Sequence, residues 1–305
     1  MFDLTPARAG VTEIRMLNTI VSNAPKPNLR GDYSHADAHY VVEQRCGEYT
    51  ADEHALWRRL YERQMKLVPG YACDDYLAGL VKLDAGDGIP RFDAASRKLA
   101  RATRWELVAV PGLIPDLTFF EHLAKRRFPV TDWLRTPAEF DYIVEPDVFH
   151  DFFGHVPLLL DPVYADYMEA YGKGGLKAAQ LDSLKYLARL YWYTVEFGLM
   201  TTPQGLRTYG AGILSSGGEV VHSMDSPQPR RVKFDLERLL RTEYNIDRYQ
   251  DTYFVIESFA QLIADTAPDF TPVYERVSTL PSYATDQAAP GDVLLSAATV
   301  RATAP

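Results

Sequence analysis

Seven histidines occur among the 305 residues, and the pair His150 and His155 stands out for its setting. His150 and His155 lie in the run Glu145-Pro146-Asp147-Val148-Phe149-His150-Asp151-Phe152-Phe153-Gly154-His155-Val156-Pro157. Neutral imidazole binds iron, zinc, copper and nickel. Two such ligands and one carboxylate leave positions on Fe(II) open for oxygen and substrate. Along an ideal α-helix five residues turn through about 500°, so the two side chains diverge by about 140°. They can share a metal only near a helix end or where the helix unwinds, and Gly154 and Pro157 disfavour continued helix there. The pattern differs from the His-Glu-x-x-His of zinc proteases, whose histidines share one face. By spacing alone, ordinary structural histidines remain the commoner outcome.

Spacing does not select a third ligand among Glu145, Glu169, Glu196, Glu219 and Glu257. Glu196 is set apart by its neighbours, Tyr191-Trp192-Tyr193-Thr194-Val195-Glu196-Phe197-Gly198-Leu199. A helix that is apolar on nearly every face is buried, and a buried carboxylate is paired, protonated or metal-bound. An Arg or Lys partner is the ordinary alternative. Two further segments fit a ligand as well as a plain structural role. Tyr209-Gly210-Ala211-Gly212-Ile213-Leu214-Ser215-Ser216-Gly217-Gly218 has small residues that admit close backbone approach and serines that can donate to a carboxylate. It lacks the Lys and the helix start of a phosphate loop. Val110-Pro111-Gly112-Leu113-Ile114-Pro115-Asp116-Leu117-Thr118-Phe119-Phe120 is a turn followed by aromatic rings, which could hold a flat heterocycle or simply join the core.

These segments must be carried by helices for the most part. Thr50 with Glu53 forms a capping box ahead of Leu56, Trp57, Leu60, Tyr61 and Met65 at helical spacing. Thr136-Pro137-Ala138-Glu139 is a second box, and Asp161-Pro162 starts a helix expected to run to Gly172. The longest helix is expected over 181–199, and another over 251–266. Strand signals are confined to 108–110 and 233–235. The expected organisation is an N-terminal arm at 1–45, one mainly α domain with a few short β-strands at 46–280, and an irregular tail at 281–305.

Composition narrows the function further. The chain is 47% hydrophobic and 24% charged, with a net charge of −9, which argues against non-specific nucleic-acid binding. The short basic run Lys125-Arg126-Arg127 reads as an exposed helix end. Two cysteines, Cys46 and Cys73, make neither a disulfide framework nor a Cys-rich metal cluster, and free thiols in a reducing compartment are expected. No stretch reaches about 18 consecutive apolar residues, so no membrane span is expected, and no signal peptide is visible. The cytoplasm is the expected location.

The four segments, in this order, resemble the aromatic amino acid hydroxylases, and among them the bacterial single-domain phenylalanine 4-hydroxylases. The resemblance covers residues 29 to about 270, and its most specific parts are 145–157, 191–199 and 209–216. It implies a single-domain hydroxylase catalytic fold and conversion of L-phenylalanine to L-tyrosine with O₂, within phenylalanine breakdown. It also implies a non-haem Fe(II) held by His150, His155 and Glu196. Tetrahydrobiopterin or a related tetrahydropterin would be the electron donor, stacked on Phe119. Gly112, Leu113, Asp116, Ala188 and Tyr191 would complete that pocket, with Asp151 as the acidic residue near the pterin.

The same resemblance assigns the substrate's carboxylate to Arg135, fifteen positions before His150, with Asp147 orienting the guanidinium. Ser215 would help hold the amino acid, and Phe149 and Trp192 would wall the site. No catalytic side chain beyond the metal ligands is implied. Tyr142-Ile143-Val144 departs from the Tyr-Thr-Pro of mammalian members and loses a threonine hydroxyl. Neither a regulatory domain nor a tetramerising C-terminal helix is recognised, so a monomer is expected. Tyrosine hydroxylases carry an aspartate where this chain has Ile246; an apolar residue there favours phenylalanine, because nothing satisfies a phenol hydroxyl. Tryptophan or tyrosine as substrate, and a non-catalytic helical binding protein, are the rival readings.

Overall fold

A computed structural model describes residues 29–296. Thr50 Oγ1 accepts a hydrogen bond from the Glu53 N–H, and the Glu53 carboxylate accepts one from the Thr50 N–H, which starts α1 (Ala51–Met65). Leu56, Trp57 and Leu60 make its buried stripe. Helices α2 (Asp74–Leu83) and α3 (Phe92–Thr103) follow. Strand β1 (Glu106–Val110), helix α4 (Asp116–Ala124) and strand β2 (Arg127–Thr131) form a small βαβ unit with parallel strands. The second capping box, at Thr136 and Glu139, opens only a single 3-10 turn, Pro137–Glu139.

A π-helical turn, Phe149–His155, runs directly into a 3-10 turn, Val156–Leu160. Helix α5 (Pro162–Gln180) is the longest, and it passes the expected stop at Gly172. The reason is tertiary: a Cβ at Gly172 would meet Leu123 Cβ at 2.6 Å, and one at Gly175 would meet the Phe120 ring at 2.2 Å. These glycines let α4 lie close against α5. The helix expected over 181–199 is broken. Asp182 takes φ 51°, α6 spans Leu184–Tyr191, and a second π-helical turn covers Trp192–Glu196.

Strands β3 (Leu199–Thr202) and β4 (Gly205–Thr208) form a hairpin, followed by a single turn at Ala211–Leu214 and by α7 (Gly217–Asp225). Ser216 caps α7, so a helix does start at the glycine pair, contrary to the sequence reading. Strand β5 (Arg230–Lys233), the short α8 (Leu236–Leu240), β6 (Thr252–Ile256), α9 (Phe259–Thr266) and α10 (Thr271–Ser278) complete the order. The four-stranded sheet runs β4-β3-β6-β5, antiparallel only at the hairpin.

The single helix expected over 251–266 is a strand and then a helix. Thr252, Tyr253, Phe254, Val255 and Ile256 are all buried, β-branched or aromatic residues at the sheet's centre, where strand pairing wins over helical spacing. Ser258 then caps α9 through the Gln261 N–H. In the basic run, Lys125 is exposed at the C-terminal end of α4 as expected, whereas Arg126 is half-buried and paired with Glu169 and Asp166.

The main core places Trp57 edge-on to Phe149, which stacks on Phe153 with ring centroids 4.9 Å apart. The flanks are bonded to this body. Val42 N–H donates to Ala109 and Gln44 bonds Pro90 and Phe92, while Asp292 pairs with Arg238 and Tyr283 N–H donates to Arg241. No helix among the described residues is long and apolar enough to cross a membrane.

Candidate active site and metal centre

The two π-helical turns supply the metal-ligand geometry. In a π-helix hydrogen bonding runs from i to i+5, so residues five apart return to one face instead of diverging. His150 Nε2 and His155 Nε2 accordingly lie 3.4 Å apart. The second turn delivers Glu196, whose Oε1 is 3.2 Å from His155 Nε2 and whose Oε2 is 3.6 Å from His150 Nε2. All three donor atoms fall within 4.8 Å of one another. Glu196 has no Arg or Lys ion-pair partner among the described residues.

Hydrogen bonding fixes the tautomer of the first histidine. Ser215 Oγ donates to Ala211 O at 2.8 Å, so it accepts from His150 Nδ1 at 3.0 Å. Nδ1 therefore carries the proton and Nε2 presents a lone pair to the shared point. Burial pushes the His150 imidazole below its ordinary pKa, the direction that favours the neutral form a metal ligand must take. Burial opposes charge on Glu196 too, but the two imidazoles and the Gly212 N–H outweigh it and hold the carboxylate below its usual value. Gly212 is required here: a Cβ would sit 3.1 Å from Glu196 Oε2 and 2.9 Å from the Phe197 ring. Two imidazole nitrogens and a carboxylate oxygen converging in a nearly buried space fit a divalent transition metal, with further coordination positions left open.

Beside this point lies a cavity of about 290 Å³ lined by Arg135, His150, Trp192, Glu196, Ser215 and Glu219, among others. Arg135 is held in it by a fully buried carboxylate. Asp147 accepts from Arg135 Nε and Nη2 at 2.8 Å and from the Arg135 and His150 backbone N–H groups. Burial opposes the charge on Asp147, but Arg135 and these donors keep it ionised. Arg135 Nη1 has no hydrogen-bond partner among the described residues, which leaves that amino group free for a ligand. Trp192 stacks on Tyr244 at 4.4 Å, and its Nε1 donates to Gln250 Oε1. Ile246 lines the cavity, whereas Asp247 is exposed and does not. Tyr142, Ile143 and Val144 form part of the mouth.

One expectation fails. Phe149 does not wall the cavity: it is fully buried, sandwiched by Trp57 and Phe153 beneath Arg135, whose guanidinium lies 5.6 Å from its ring. In the helical turn it faces away from its neighbour His150. Sequence reasoning also passed over Gln250 and Asn245. Gln250 is 2% exposed and ties Trp192, Asn245 and Glu219 together. Its run, Tyr244 to Asp251, is polar and irregular, so only the following β-strand hints that it is buried.

A second group of residues surrounds Tyr191. The half-buried Phe119 ring meets Tyr191 at 5.8 Å, and Tyr191 lies 6.2 Å from the His155 ring at an angle of 27°. Ala188 is one turn earlier on α6. Asp116 opens α4, and the preceding loop carries Gly112 against the Tyr33 hydroxyl and Leu113, whose carbonyl accepts from Tyr33. Asp151 accepts from the Thr131 N–H at 2.8 Å, beside the first histidine. A partly open aromatic face next to loop backbone, adjoining the metal ligands, fits a flat heterocycle.

Fold and site together define a mononuclear metal enzyme with a two-histidine, one-carboxylate donor set at the floor of an amino-acid-sized cavity. The sequence profile of the biopterin-dependent aromatic amino acid hydroxylases matches residues 30–279. The phenylalanine-4-hydroxylase of Ralstonia nicotianae is 53% identical, with 97% of this chain and 93% of that protein covered. That of Chromobacterium violaceum is 56% identical over 87% of this chain and 89% of its own. A crystal structure of the Chromobacterium violaceum enzyme with iron(III) and 7,8-dihydrobiopterin bound is 55% identical, with a TM-score of 0.82, covering 85% of this chain and 94% of that one. Another, with iron and phenylalanine bound, has a TM-score of 0.81 at 54% identity, covering 88% and 96%. The chain belongs to the biopterin-dependent aromatic amino acid hydroxylase family.

Proposed function

We infer that the protein is a phenylalanine 4-monooxygenase, which hydroxylates L-phenylalanine to L-tyrosine with O₂ and a tetrahydropterin in phenylalanine breakdown. The observation that carries the reading is the convergence of His150, His155 and Glu196 beside a cavity holding an oriented arginine. Close relatives named phenylalanine-4-hydroxylase support it.

His150, His155 and Glu196 hold the iron, which together with the tetrahydropterin supplies the activation of O₂ and the oxidation of the ring when both are bound. The chain's own residues bind and orient. Asp147 fixes the Arg135 fork, and Arg135 takes the substrate carboxylate through its free Nη1 amino group. Ser215 lines the cavity and holds the tautomer of His150, so its contact with the amino acid is added to a metal-positioning role. Trp192, kept in place by Gln250 and Tyr244, walls the aromatic ring. Phe119 stacks the pterin, with Gly112, Leu113, Asp116, Ala188 and Tyr191 around it and Asp151 near its edge. These side chains exclude water from the reacting centre.

Phenylalanine is favoured over tyrosine by the apolar Ile246 in the cavity wall. Turnover of phenylalanine, tyrosine and tryptophan measured side by side tests the assignment, and a preference for either of the others rejects it. The proposal extends to organisation: a catalytic unit at 46–280, flanked by an arm at 1–45 and a tail at 281–305, of which 1–28 and 297–305 lie outside the described residues, and a cytoplasmic monomer whose Cys46 and Cys73 are free thiols. Light scattering during size-exclusion chromatography checks the oligomeric state.

A further inference from the structure

An amino acid is a zwitterion, and a cavity that holds only its carboxylate leaves a desolvated ammonium without an acceptor. Three lining residues carry carboxylates: Asp141, Glu196 and Glu219. The Asp141 side chain is 92% exposed and paired with Arg63. Glu196 belongs to the donor set with the two histidines. Glu219 remains, only 4% exposed, in the first turn of α7.

Its setting is that of a built acceptor. Oε1 accepts from the Tyr253 hydroxyl and from the Gln250 N–H at 3.2 Å. Tyr253 comes from the buried central strand, so the carboxylate is pinned by a rigid element. Oε2 has no hydrogen-bond partner among the described residues, and no Arg or Lys pairs with Glu219 there. Gln250 also carries Trp192, which joins the carboxylate to the wall of the ring site. A buried carboxylate with one oxygen fixed and the other unpartnered in a cavity is costly unless a cationic donor completes it.

We infer that Glu219 binds the α-ammonium group of the amino-acid substrate through Oε2, opposite in charge to the Arg135 guanidinium that takes the carboxylate. This rests on the hydroxylase reading and adds to it the group that requires an amino acid rather than any aryl carboxylate. Tyr253 and Gln250 are positioning residues for Glu219.

The test compares the iron-loaded enzyme with E219Q and E219D, using L-phenylalanine and 3-phenylpropanoate, which lacks only the ammonium group. Calorimetric binding of both to the wild type should favour phenylalanine. E219Q should lose roughly 10- to 100-fold in phenylalanine affinity, the range for a hydrogen bond between charged groups, with 3-phenylpropanoate binding unchanged. E219D, which keeps the charge, should retain part of the preference. A merely structural role would weaken both ligands alike. E219Q with the full wild-type preference, or E219D with none while E219Q keeps it, overturns the proposal. Should E219Q not fold, loss of preference in a folded Y253F supports the inference and full loss of both ligands opposes it. Wild-type enzyme that binds both ligands but forms no tyrosine would refute the hydroxylase reading separately.

Discussion

At the scale of single residues, the site depends on buried charges that the fold supplies with partners. Arg135 and Asp147 are the plainest pair. Each is almost fully buried, and the carboxylate is saturated by four donors while the guanidinium keeps one amino group free. R135A should raise the KM for phenylalanine by roughly 10- to 100-fold while leaving that for the pterin nearly unchanged. Equal small effects in steady-state assays would remove Arg135 from the substrate site.

Glu219 gives a pH signature at the same scale. Burial raises its pKa from 4.5 to about 7. The folded state then holds a proton that the unfolded chain releases, so stability falls as pH rises from about 4.5 to about 7 and stays lower above that range. In the substrate-free enzyme E219Q should be more stable than wild type at pH 8, by about 3 kcal/mol at most, and the gap should close as pH falls towards 5. Urea unfolding at the two pH values measures it, and a gap that does not depend on pH contradicts the raised pKa.

At the scale of elements, the two π-helical turns decide the chemistry. An α-helix through Phe149–His155 would carry the two imidazoles apart, and an α-helix through Trp192–Glu196 would redirect the carboxylate. Gly212 then lets the second turn close on its neighbour. G212A should lower iron affinity through displacement of Glu196, whereas G47A, whose Cβ would meet nothing within 4 Å, should leave it unchanged. Iron titration of both variants compares them, and equal affinities would mean that the turn gives way without moving the ligand.

The unwinding near Gly154 and Pro157 was legible in the sequence, because both residues disfavour regular helix. Its form was not, because a π turn is selected by tertiary packing of Phe149, Phe152 and Phe153 and leaves no local spacing signal. The same limit explains β6. Thr252 to Ile256 has an apolar run that fits helix or strand, and only pairing with β3 and β5 settles it. Phe149 was misplaced for a simpler reason: sequence order puts it beside His150, while the turn points it into the core. The ligand set and Arg135 were readable through family resemblance, but spacing by itself favoured structural histidines.

At the scale of the whole molecule, the metal point draws on two separate stretches of chain, and the cavity adds α7 and the loop before β6. Binding a metal there should therefore tie these elements together and stabilise the fold by mass action. Removing iron with a chelator should lower the melting temperature, and adding Fe(II) should restore it. The gain should shrink under acid conditions, since imidazole and carboxylate must be deprotonated to bind. Calorimetry with and without chelator checks this, and identical melting curves would show that the donor set holds no stabilising ion.

Taken as a whole, the molecule should hydroxylate phenylalanine at a pterin-dependent iron centre. The most direct measurement is tyrosine formation from L-phenylalanine in air, with purified protein, Fe(II) and a tetrahydropterin, beside a control lacking the pterin. Tyrosine is expected in the complete mixture and none in the control. Folded, iron-loaded protein that makes no tyrosine, or makes it equally without pterin, would contradict it.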